Sequence, residues 1–127
     1  MTVSLRDREK QTSLGRFSYD LELRGGKVLP AVGTNFNGPN GMSLRPPTKF
    51  FFEIAAGFED PVIFKIAKGT SLPDTLTLLH EHSDHYSLQT AVPCSLSELN
   101  ARMSSFLKEH SEVLTIAQFA EHFPYHK

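Results

Sequence analysis

Three of the six histidines of the chain lie within the stretch LLHEHSDHYSLQT. His80, His82 and His85 alternate there with the acidic residues Glu81 and Asp84. Imidazole and carboxylate groups this close together suit a metal centre or a catalytic strand, and they also occur in exposed polar hairpins. The elements around the cluster limit which of these sites it can form.

A metal centre would use His80, His82 and Asp84. Alternate residues of an extended strand point to the same face about 7 Å apart, so the two histidines could share one ion. His85 or Asp84 could supply a third ligand, but a reversal at Ser83 and Asp84 leaves the position of that ligand open. Because pairs of this kind are common, a histidine-ligated metalloprotein is a minority alternative and no metal is expected.

The strand after this reversal, HYSLQTAV, has a polar face formed by His85, Ser87 and Gln89. Imidazole, hydroxyl and amide groups on one face suit a ligand rich in hydroxyls and amides. The same pattern is also typical of the solvated side of an antiparallel sheet. Tyr86 points to the opposite face.

A second group of candidate residues lies outside the cluster. The segment 33–47, GTNFNGPNGMSLRPP, has too many breakers for a regular element and is predicted to be a long loop, which is often functional. Ser43 follows Gly41 there, and a glycine would let the backbone and the hydroxyl approach a ligand closely. Arg16 opens a predicted strand, where its guanidinium could bind a diphosphate through two hydrogen bonds.

The predicted elements indicate an α+β fold with a mostly antiparallel or mixed sheet. The strands are FSYDLEL, PVIFKIAKG, LTLLHEH and HYSLQTAV, with PVIFKIAKG expected in the centre of a sheet. Thr48 caps a helix that is apolar nearly all round, which predicts deep burial. Capping boxes at Ser95 with Glu98 and at Thr115 with Gln118 open two further helices.

Composition indicates a single domain over residues 1–127, of which residues 1–12 are polar enough for a loose N-terminal arm. With 13 basic and 14 acidic residues, the chain lacks the basic excess typical of nucleic-acid binding. Cys94 is the only cysteine, which excludes an intrachain disulfide. We expect no signal peptide, no membrane partner and a cytoplasmic site of action.

Two stretches together resemble the Tse-type toxins, small ADP-ribosyltransferase-like effectors found among bacterial type VI secretion effectors and among fungal homologues. They are FNGPNGMSLRPP and IAKGTSLPDTLTLLHEHSDHYSLQTAVPCSLSELNARMSSFL. The shared pattern is G-T-x-[LI]-P-x-x-L, then H-Y-[ST]-[LI], then a proline and an amphipathic helix. It covers residues 33–108, with a looser match at SLGRF. The fungal homologues are expected to be the closest members.

The resemblance implies an ADP-ribosyltransferase-like fold of two small packed sheets with a cleft for NAD as substrate. It assigns His85 and Ser43 to catalysis. It assigns cofactor binding to Arg16, Ser43, His85, Tyr86 and Gln89. It also implies a macromolecular acceptor and an antitoxin or immunity protein as partners.

Two features of the sequence depart from this family pattern. Met42 and Gln89 differ from the bacterial branch, and no glutamate matches the catalytic glutamate of many ADP-ribosyltransferases by position. Glu98 fits a capping box and Glu81 precedes the turn. A catalytically silent binding module of the same fold is therefore the main alternative to an NAD-dependent ADP-ribosyltransferase.

Overall fold

The computed structural model describes residues 3–31, 39–59, 61–82 and 85–122. The elements, in chain order, are α1 (Arg8–Ser13), β1 (Gly41–Leu44), α2 (Lys49–Ala56), β2 (Val62–Ile66), β3 (Leu76–His82), β4 (His85–Thr90), α3 (Leu96–His110), β5 (Ser111–Thr115) and α4 (Ile116–His122). The predicted α+β class is confirmed. None of the described helices combines the length and apolarity that crossing a membrane requires.

The strands form two small antiparallel sheets. One has the order β1-β4-β3, and the other pairs β2 with β5. Helix α3 buries its apolar stripe, which includes Leu99 and Met103, in a core that also contains Leu88 of β4. A second core, around Phe119, packs α2 and α4 against the β2-β5 sheet. The predicted capping boxes of α3 and α4 are both present.

Residues 3–12, the described part of the segment expected as a loose arm, pack against the rest of the chain. Asp7 caps α1 by accepting a hydrogen bond from the backbone of Lys10. Leu5 is only 8% exposed and belongs to the core around α3. The polar residues around Leu5 made the whole segment look solvent-exposed in the sequence. One buried leucine is enough to anchor a short segment whose backbone is also hydrogen-bonded.

The strand predicted at residues 17–23 is wrong. The described segment makes a single isolated bridge there instead of a ladder, between Asp7 and Leu21. Leu21 is fully buried, whereas Phe17 is 97% exposed. The alternation of apolar residues correctly predicted that Leu21 is buried. It could not show that this segment has no partner strand along its length within the described part of the chain.

The long loop predicted at residues 33–47 contains strand β1, which pairs along β4 from Gly41 to Leu44. Tertiary pairing therefore overrides the local density of breakers. Residues 32–38 lie outside the described part of the chain.

Two burial predictions also need correction. Helix α2 begins after Thr48 as expected, but Phe50 is 52% exposed and Ala55 is its buried residue. Strand β2 pairs with β5 in a two-stranded sheet instead of lying centrally, and Val62 is 55% exposed. β5 itself was not predicted, because its SEVLT segment follows α3 without a turn signal.

Candidate active site

The pairing of β1 with β4 brings together two residues that are 42 positions apart. In the register of this ladder Ser43 lies opposite Ser87, and His85 is the next residue of β4 on the same face. The His85 Nε2 atom lies 3.0 Å from the Ser43 Oγ atom, within hydrogen-bond distance. The structure therefore joins the two residues that the sequence assigned to catalysis.

Glu81 joins the same group from β3. Its Oε2 atom lies 3.1 Å from the Nδ1 atom of His85. The β3-β4 ladder shifts register between His80 and His82, so Glu81 is the extra residue of a β-bulge. The bulge lies at the end of the ladder, next to the first residue of β4.

The three side chains form a chain of hydroxyl, imidazole and carboxylate. The side chain of His85 is 15% exposed and that of Glu81 is 30% exposed, whereas Ser43 is exposed to solvent. A hydroxyl next to an imidazole that is itself held by a third group is the general arrangement of an activated nucleophile or a general base. The three groups therefore have the order of such an arrangement, with the hydroxyl of Ser43 at the surface.

Gly41 allows β1 to lie this close to β4. A Cβ atom at this position would lie 2.2 Å from the backbone oxygen of Leu88 and 3.0 Å from Cγ of Gln89. The sequence suggested that Gly41 gives a ligand access to the backbone. The described contacts show that the glycine is required by strand packing.

A cavity of about 310 Å³ adjoins Ser43. Its walls come from β1, α2 and β2, and they are mostly apolar, with Phe51, Ile54 and Val62 among them. Arg45 also lines this cavity and contributes a positive charge. Ser43 therefore borders this concave surface, whereas His85 and Glu81 are not among its lining residues.

The other residues expected to bind NAD lie in three different environments. Tyr86 is on the opposite face of β4, where its ring stacks on that of His80 at 4.6 Å between centroids. Gln89 is 3% exposed and is hydrogen-bonded to Asn40 and Ser87, so it lies in the interior instead of on a polar face open to a ligand or to solvent.

Arg16 is exposed in the segment that follows α1. The same segment reaches β1 four residues later, where the backbone oxygen of Asp20 accepts a hydrogen bond from Gly41. The binding of a diphosphate by Arg16 remains a prediction.

The metal alternative can be compared with the structure only in part. Asp84, which would be one of its ligands, and the side chain of His82 lie outside the described residues. Within the described part of the chain, no group of three or more His, Cys, Asp or Glu residues is arranged to hold a metal ion.

Glu81 is the site residue that the sequence argument missed. The sequence did contain a signal, because Glu81 precedes His85 by four residues across a short reversal, and residues near a hairpin end face each other. Glu81 does not match the position of the family's catalytic glutamate, and only its local pairing with His85 indicates a role.

The comparisons with known proteins bear on the family. A family model described as the Tse2 ADP-ribosyltransferase toxin matches residues 1–119. No curated protein and no solved structure matches the chain significantly. The match extends on both sides of the resemblance at residues 33–108, and a kinship with fungal members in particular remains a prediction. The chain belongs to the Tse2 ADP-ribosyltransferase toxin family.

Proposed function

We propose that this toxin cleaves the nicotinamide–ribose bond of NAD and transfers ADP-ribose to a macromolecular acceptor or to water. The bond between ribose C1′ and the nicotinamide nitrogen breaks, and its electron pair leaves with nicotinamide. A new bond forms between C1′ and the acceptor oxygen, whose proton is released. Positive charge develops on the ribose in between, so the residues around it must hold the substrate still.

The observation that carries this proposal is the contact between Ser43 and His85, 3.0 Å apart in a chain of an ADP-ribosyltransferase toxin family. A hairpin that merely faces solvent has no need to join a serine and a histidine from two strands. In a cleft, the imidazole would bind the ribose hydroxyls and the serine would bind the ribose or the amide of nicotinamide. Contacts of Arg16, Tyr86 and Gln89 with NAD remain predictions.

The test is nicotinamide release from NAD by the purified protein, combined with growth of a host that expresses it. His85→Ala and Ser43→Ala each remove a group from the centre, so we expect each to lower turnover by about 10²-fold or more. Both variants should also relieve toxicity. Full turnover and toxicity of His85→Ala would show that the site is assigned wrongly.

Matched controls for these variants come from helix α3. His110→Ala and Ser105→Ala change the same residue types on exposed positions of that helix. We expect wild-type turnover from both. Thermal unfolding of all four variants separates loss of activity from loss of fold.

A catalytically silent binding module is the second candidate. The observation that favours it is the contact of Glu81 with His85. Because the Oε2 atom of this carboxylate is already hydrogen-bonded to the imidazole, it is not available to stabilise positive charge on the ribose. Calorimetric titration with NAD and with ADP-ribose separates the candidates. A folded protein that binds neither at millimolar concentration would support the module and contradict the enzyme.

A further inference from the structure

We propose that Glu81 is a positioning residue that fixes the tautomer of His85 and thereby makes Ser43 a nucleophile. The inference goes beyond the proposed function, in which Ser43 and His85 bind the substrate, and rests on it only in taking these two residues as the site. It adds a residue, a direction of proton transfer and a reactivity that can be measured without NAD.

The first step concerns where the imidazole proton lies. An ionised carboxylate only accepts hydrogen bonds, so Glu81 at 3.1 Å requires His85 to carry a hydrogen on Nδ1. In the neutral ring the lone pair is then on Nε2. That atom lies 3.0 Å from the Ser43 Oγ atom and can accept its hydroxyl proton.

The second step concerns how firmly the arrangement is held. Ser43 and His85 are fixed by the β1-β4 ladder, and Glu81 is set by a bulge where β3 and β4 shift register. Bulges near active sites commonly re-aim one side chain, and here the re-aimed side chain reaches the distal nitrogen of the histidine. All three groups thus belong to one sheet.

The third step is a comparison with another histidine–glutamate pair of the chain. His110 Nε2 lies 3.7 Å from Glu109 Oε2, on neighbouring positions at the exposed end of α3. The imidazole of His110 packs beside the ring of Phe106, with 5.3 Å between centroids. Because this pair is longer and more exposed, it serves as an internal control for the contact between Glu81 and His85.

The chemical consequence is a serine that attacks electrophiles. With an alkyl fluorophosphonate, the Ser43 Oγ atom would form a bond to phosphorus while the phosphorus–fluorine bond breaks and fluoride leaves. The hydroxyl proton passes to His85 Nε2 and then to water. The product is a protein that carries the phosphonyl group on Ser43, which intact mass and peptide mapping detect.

The variant that tests the proposal is Glu81→Gln. The amide can donate to Nδ1 of His85, which favours the tautomer with hydrogen on Nε2, and that hydrogen then points at Ser43. We expect the labelling rate of Ser43 to fall by about 10²-fold, the range of a general base. Glu109→Gln should label at the wild-type rate, and Ser43→Ala should not label at this position.

A second readout guards against a purely structural effect of the substitution. Nitrogen-15 NMR of the imidazole rings reports which nitrogen of His85 carries the hydrogen. We expect hydrogen on Nδ1 of His85 in the wild type and a larger population of the tautomer with hydrogen on Nε2 in Glu81→Gln. The backbone amide resonances distant from residue 81 should be unchanged. Hydrogen on Nε2 in the wild type would overturn the inference, as would equal labelling rates of wild type and Glu81→Gln.

The two proposals fail in distinguishable ways. Labelling of Ser43 that depends on Glu81, without any turnover of NAD, would remove the proposed function and leave the inference standing. Turnover of NAD that requires His85 and Ser43, with labelling indifferent to Glu81, would do the reverse.

Discussion

At the residue scale, the candidate site depends on one position without a side chain. Gly41 lies two residues before Ser43 on β1, and the β4 backbone fills the space that a Cβ atom would need. Any larger residue must push β1 away from β4. That displacement would also move Ser43 relative to His85.

The prediction at this scale is that Gly41→Ala destabilises the protein by about 1–3 kcal/mol, the usual cost of overpacking. NAD turnover should fall as well, because the distance between Ser43 and His85 depends on the same ladder. Denaturant unfolding and nicotinamide release measure the two effects. Wild-type stability of Gly41→Ala would contradict the packing argument.

The control is Gly57→Ala. Gly57 ends α2 with φ −76°, and a Cβ atom there would meet its nearest neighbour at 3.4 Å. Because an alanine adopts this conformation without strain, we expect stability within about 1 kcal/mol of the wild type.

The residue scale also shows what the sequence reveals of the site. Ser43 and His85 were found from residue types and a family pattern, and their contact is present in the structure. Glu81 was missed. Gln89 was expected on a face open to a ligand or to solvent, but it is buried. Residue type and alternation predict which face a side chain takes, but what covers that face depends on segments distant in sequence.

At the element scale, local signals predicted helices better than strands. The capping box at the start of α3 is present, with Ser95 Oγ accepting from the Glu98 backbone and Glu98 Oε1 accepting from the Ser95 backbone. A capping box is local, so the sequence contains its signal. The cap of α1 at Asp7 was nevertheless missed, because that segment was expected to be a loose arm. β1 was missed because its partner strand β4 lies in a different part of the chain, and β5 was missed because no turn signal separates it from α3.

The capping box gives a prediction about pH. The hydrogen bond from the backbone of Ser95 lowers the pKa of Glu98, and that from its side chain adds to the effect. A carboxylate whose pKa is lower when folded stabilises the protein above its unfolded pKa, and this stabilisation is lost as the pH falls through the folded pKa. The relevant range lies below about pH 4.5.

Urea unfolding of the wild type and Glu98→Gln measures this linkage. Glutamine keeps the geometry of the box but does not titrate, so the wild type should be the more stable protein at neutral pH. The difference should shrink as the pH falls below about 4.3, the usual glutamate pKa, because the stabilisation is lost as the pH passes through the lower pKa of the folded state. A difference that is the same at neutral and at low pH would show that the charge of Glu98 does not contribute.

At the scale of the whole molecule, distant segments close the core around α3. The backbone of Val3 donates to Ser104 Oγ at 2.7 Å, and that of Leu5 donates to Asn100 Oδ1 at 2.9 Å. Arg6 pairs with Asp20, whose backbone oxygen in turn accepts from Gly41 at the start of β1. The first described residues are thereby linked both to α3 and to the sheet that carries the candidate site.

This linkage yields the last prediction. Leu5→Ala removes a side chain that is only 8% exposed and leaves a cavity beside α3, which should cost about 2–5 kcal/mol of the free energy of unfolding. Leu14→Ala, at a position that is 55% exposed, should stay within about 0.5 kcal/mol. Thermal or denaturant unfolding measures both. If residues 1–12 form a loose arm, the two variants will be equally stable, whereas a selective loss in Leu5→Ala means that the N-terminal segment is part of the core behind the candidate site.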